Sequence, residues 1–76
     1  MYYLRLEGCK DAWIRDINSG YESVGMPVRN RSDARSFDDK NFTLYVARRL
    51  KECGNVHVEV VKPYWFFGKR ERIFYP

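Results

Sequence analysis

Between Asp38 and Cys53 the apolar residues fall at helical spacing, and three residues later the spacing switches to strict alternation. Phe42, Tyr45, Val46, Arg49, Leu50 and Cys53 stand at i, i+3, i+4, i+7, i+8 and i+11, so five of these six form a core-facing stripe on one side of a helix. Arg48, Lys51 and Glu52 lie on its solvated side. Asp38 or Asp39 can accept hydrogen bonds from the free N–H groups of the first turn, and Gly54 is placed to end the helix in a left-handed conformation. In Val56-His57-Val58-Glu59-Val60 the valines face in and His57 and Glu59 face out, with Pro63 ending the strand.

The N-terminal third alternates as well. Tyr2, Leu4 and Leu6 share one face of a strand, and Tyr3, Arg5 and Glu7 share the other. A turn at Gly8–Asp11 leads to a second strand over residues 12–17. Asn18-Ser19-Gly20 then turns the chain into a weaker edge strand over 21–28, interrupted by Gly25 and Pro27. Gly68-Lys69 can turn a hairpin that brings Ile73 to Tyr75 back along the preceding strand. The expected fold is α+β: a three- to four-stranded, mostly antiparallel sheet with one α-helix packed on one face. It forms a single domain over residues 1–76, a scaffold over 1–62 with an aromatic and basic extension over 63–76.

A 76-residue chain buries only about 60% of its unfolded surface, so its core is marginal. Hydrophobic residues at 45% and charged residues at 32% mark a globular chain, and the 17% aromatic share lets few residues build a core or an interface. The net charge of +4 resides in the second half: residues 1–28 carry three basic and four acidic residues, residues 29–76 eleven and six. That imbalance favours an acidic partner, nucleic acid or an acidic protein groove. Arg5 and Glu7 interrupt the first apolar run and no stretch approaches a membrane span, so neither a signal peptide nor membrane association is expected. Cys9 and Cys53 read as two unpaired thiols of a cytoplasmic protein, with a disulfide between them as the alternative.

The segment Ala34-Arg35-Ser36-Phe37, the helix ending Val46-Ala47-Arg48-Arg49-Leu50, then Gly54 and a valine-rich strand together resemble short proteins of bacteriophages and prophages. Several anti-CRISPR proteins are similar in size and in this α+β build. The resemblance covers residues 2–62 as architecture. It implies a protein of a bacterial host's cytoplasm that binds and sterically inhibits a host protein. The basic charge departs from the acidic character of most anti-CRISPR proteins and argues against mimicry of nucleic acid.

No residue pattern calls for an enzyme. His57 and Cys53 are separated by Gly54 and lack a third ligand at metal spacing; Asp38 and Asp39 are explained by capping. No phosphate-binding, dinucleotide or zinc motif is present, and neither cofactor nor metal is expected. Two surfaces stand out instead. Arg29, Arg31 and Arg35 crowd the loop before the helix and, with Arg48 and Lys51, can form one basic patch. Tyr64, Trp65, Phe66 and Phe67 adjoin Lys62, Lys69, Arg70 and Arg72, and four consecutive rings place aromatics on both faces of an extended segment. These are anchors for a host protein partner, the preferred reading, or stacking platforms for nucleic acid, the alternative. An exposed aromatic strand edge also admits a homodimer.

Overall fold

Residues 40–54 are helical because Asp39 closes the helix start and four small or branched side chains give it a core-facing side. In the computed structural model, which describes residues 1–65 and 67–76, α1 spans Lys40–Gly54. The Asp39 carboxylate accepts from the Phe42 N–H at 2.9 Å, and the Thr43 hydroxyl donates to the Asp39 carbonyl at 2.6 Å. The buried stripe is Thr43, Val46, Ala47 and Leu50. It has the expected period but is rotated from the expected stripe: Phe42, Tyr45 and Cys53 are exposed. The large rings are drawn sideways instead, where Tyr21 meets Phe42 and Tyr45 edge-on at 5.7 and 6.3 Å.

The helix ends differently from the expectation. Asn55, with φ 54°, takes the left-handed position, while Gly54 is the last helical residue. Gly54 is needed for a different reason, because a Cβ there would run into the carbonyl oxygen of Glu22. Arg49 secures the same turn, donating from Nε to the Gly20 carbonyl at 2.7 Å and pairing with the Glu22 carboxylate at 3.1 Å. Gly54→Ala is therefore expected to lower stability by about 1–3 kcal/mol, the usual cost of forcing extra atoms into a packed contact. A urea melt reads this directly, and an unchanged midpoint would mean that the turn yields at no cost.

The described residues form a three-stranded antiparallel sheet of β1 (Tyr3–Leu6), β2 (Val58–Trp65) and β3 (Lys69–Phe74), in the order β1-β2-β3. Leu4 lies opposite Val60 and Leu6 opposite Val58, and Phe74 opposite Val60 on the other side. α1 covers this face, and Leu4, Val58 and Val60 form the core with Val46, Ala47, Leu50, Ile14 and Phe37. Residues 12–17 and 21–28 are not regular strands. They are joined by isolated bridges, Arg5 with Trp13, Trp13 with Val28 and Ile17 with Val24. This stretch still runs along the free edge of β1, where Ile14 N–H donates to the Leu4 carbonyl and Leu6 N–H to the Ala12 carbonyl. Gly25 and Pro27 weaken the ladder on the far side.

Pro63 does not end β2, which runs through it. The Glu7 N–H to His57 carbonyl bond gives odd-numbered β2 residues backbone groups that point toward β1. β1 pairing stops at Tyr3 opposite Val61, so the nitrogen of Pro63 points past the end of β1 and removes no ladder bond. Tyr64, Trp65 and Lys69–Phe74 are therefore part of the sheet.

Arg5 and Glu59, expected to face solvent, are buried on the face opposite α1. They are direct cross-strand neighbours, joined at 3.4 Å between Nη2 and Oε2. Glu71 of β3 pairs with Arg5 Nη1 at 3.1 Å, and the guanidinium lies 4.9 Å from the Trp13 ring centroid. A flat cation between a ring and two carboxylates is hidden by its partners, which alternation alone does not reveal.

Candidate functional site

Because β2 and β3 continue beyond the last β1 pair, the hairpin from Lys62 to Arg72 projects from the body of a molecule measuring 38 × 24 × 20 Å. Phe67 and Gly68 turn its tip with φ of 53° and 116°, and the second value favours glycine. Lys62, Tyr64, Arg70 and Arg72 belong to the face shared with α1, and Pro63, Trp65, Lys69 and Glu71 to the other. Glu71 is the one acidic residue between Lys62 and Arg72, and its carboxylate is turned to Arg5. The hairpin thus presents basic and aromatic groups outward.

On the α1 side an open groove of about 420 Å³ is lined by Tyr2, Lys40, Lys62, Tyr64, Arg72 and Phe74. Among the described residues this lining has three cations, three rings and no carboxylate. Each cation stands over a ring: Lys40 Nζ is 4.2 Å from the Phe74 centroid, Lys62 Nζ 5.4 Å from Tyr2, and Arg72 Cζ 5.9 Å from Tyr64. Three different elements bring them together. Tyr2 exchanges both backbone hydrogen bonds with Phe37, Lys40 is the first residue of α1 after its cap, and the β2–β3 register supplies the rest.

A second hollow of about 280 Å³ lies at the outer part of the hairpin, lined by Arg31, Pro63, Tyr64, Trp65, Lys69 and Arg70. Tyr64 borders both hollows, but Pro63, Trp65 and Lys69 belong to the face opposite α1, so the two hollows lie on opposite sides of the hairpin. Of the residues singled out in the sequence, Tyr64 and Arg72 line the α1-side groove, and Arg31, Tyr64, Trp65, Lys69 and Arg70 line the second hollow. Phe67 is 87% exposed at the tip, and Phe66 lies outside the described residues. Arg31 joins the hairpin from the short helical turn Arg31–Asp33 and stands 5.6 Å from the Tyr3 ring. Arg29 and Arg35 line neither hollow; Arg35 stacks on Phe37 at 5.2 Å. Arg48 borders a separate small hollow with Tyr45 and Glu52.

Tyr2, Lys40 and Phe74 were not singled out by the sequence. Tyr2 shares the parity of Leu4 and Leu6, and that parity was the available signal; Lys40 looks like any exposed residue of a first helical turn. His57 is exposed and meets Asn55 Oδ1 at 3.1 Å, while Cys9 and Cys53 are exposed and unbonded. Among the described residues no group of three His, Cys, Asp or Glu could hold a metal, and no helix is long and apolar enough to cross a membrane. No family model, curated protein or solved structure matches the chain, and none of these comparisons connects it with phage or anti-CRISPR proteins.

Proposed function

We propose that this chain is a non-catalytic module that binds single-stranded nucleic acid along its β2–β3 hairpin. The observation that carries this reading is the groove in which Lys40, Lys62 and Arg72 alternate with Phe74, Tyr2 and Tyr64 and no carboxylate intervenes. Unpaired bases stack on aromatic faces for about 1–3 kcal/mol each, and flanking cations track the phosphates. Such binding tolerates many sequences, because every base has a stacking face.

Salt is the direct test. Neutralising three phosphates of a single strand gives a log–log slope of about −2, so affinity for a labelled random oligonucleotide is expected to fall ~20-fold between 50 and 200 mM salt. Fluorescence anisotropy measures it, and no binding of DNA or RNA at low salt would overturn the reading.

The tip favours a second reading. Trp65 is 74% exposed and Phe67 87%, and Trp beside Arg is the usual make-up of a protein-interface anchor. Here the hairpin would insert into a host protein and block it sterically. Inhibition of a CRISPR effector is the form implied by the architectural resemblance. Failure of oligonucleotide binding would leave this second reading standing.

A further inference from the structure

The two ends of the α1-side groove differ. Its inner end is walled by Tyr2 and Phe74, whose rings lie 6.4 Å apart and pack against the core, and by Lys40 at the start of α1. Its outer end is bounded by Tyr64 and Arg72 of the hairpin. A strand entering the groove past Tyr64 therefore meets the wall of Tyr2 and Phe74. An internal phosphodiester carries one negative charge, whereas a terminal phosphate monoester carries about −1.5 to −2 at neutral pH. Lys40, Lys62 and Arg72 supply three positive charges to a lining that, among the described residues, has no carboxylate to neutralise them.

From this we infer that the groove is an end-binding subsite: it takes the terminal nucleotide of a single strand, stacked on Tyr64 or Tyr2, with its terminal phosphate monoester held by Lys40, Lys62 and Arg72. The inference rests on the nucleic-acid reading above and narrows its ligand to phosphorylated ends. Lys40 is the discriminating residue. It belongs to α1 rather than to the hairpin, so it meets only the part of a strand that reaches the inner end of the groove. The groove lining contains neither histidine nor carboxylate, so any change in end preference near pH 6 reports the ligand's own second ionisation.

The test uses the full chain and three labelled single strands of one sequence, carrying a 5′-phosphate, a 3′-phosphate or hydroxyls at both ends. One phosphorylated strand is expected to bind about tenfold more tightly than the hydroxyl strand at pH 7.5. The preference should shrink as pH falls below about 6, where the monoester loses a charge. Lys40→Gln, an exposed position at the helix start, should weaken the phosphorylated strand more than the hydroxyl strand, so that the ratio of the two affinities falls to about one. Nucleoside monophosphate should compete for the preference, and inorganic phosphate should do so less well because it lacks a base to stack. Equal affinity for all three strands overturns the inference alone and leaves the nucleic-acid reading intact. No binding of any strand overturns both.

Discussion

Arg5→Ala is expected to cost the fold about 3–5 kcal/mol, the loss that follows when one member of a buried ion pair is removed. Domains of ordinary size are stable by only 5–15 kcal/mol, and one this short falls toward the low end, so much of the chain would be unfolded. The cost arises on the partner. Glu59 is 7% exposed, and without Arg5 its carboxylate would be buried with no cation beside it. Trp13 would also lose the group on which its ring rests. The pair itself is not expected to be a net source of stability. Among the described residues Arg5 Nε is buried without a hydrogen-bond partner, so the desolvation of the guanidinium is incompletely offset. The double change Arg5→Met with Glu59→Leu should therefore recover most or all of the loss, and Glu71→Gln, at a 42% exposed carboxylate, should cost no more than ~1 kcal/mol. Urea denaturation of the three variants measures this, and a double variant as unstable as Arg5→Ala would contradict the account.

The second large effect falls on binding. Tyr64→Ala and Trp65→Ala are each expected to weaken a single-stranded oligonucleotide by about 1–3 kcal/mol, roughly 5- to 150-fold per ring. Tyr64 borders both hollows and Trp65 the outer one, so the double variant should approach loss of binding. Stability should change little, because both residues are exposed and lie beyond the last β1 pair. Anisotropy paired with a thermal melt separates the two quantities. Full affinity in a folded double variant would rule out stacking on this hairpin.

How far the fold could be read before the structure depended on the kind of signal. The α1 period, its Asp39 cap and the alternation at Leu4, Leu6, Val58 and Val60 are local, and each appears in the structure. The α1 stripe was misplaced because Thr43 and Ala47 do not stand out as apolar, while Phe42 and Tyr45 do. Burial there is set by closeness to the sheet, and small residues allow the closest approach. Residues 12–28 carry strand-like alternation, yet Gly25 and Pro27 reduce their pairing to single bridges.

The aromatic and basic run after Pro63 is the most unusual stretch of the sequence, and its chemistry was determined by the sequence alone: rings beside Lys and Arg, in a half with excess positive charge. What only the tertiary structure decided was the company that run keeps. The β2–β3 register turned Glu71 inward to Arg5, and the exchange between Tyr2 and Phe37 carried Tyr2 and Lys40 to the same groove. Those partners come from positions 2, 5 and 40, far from the hairpin in the chain. Side-chain pattern records which face of its own element a residue takes, and only packing determines which distant element lies opposite.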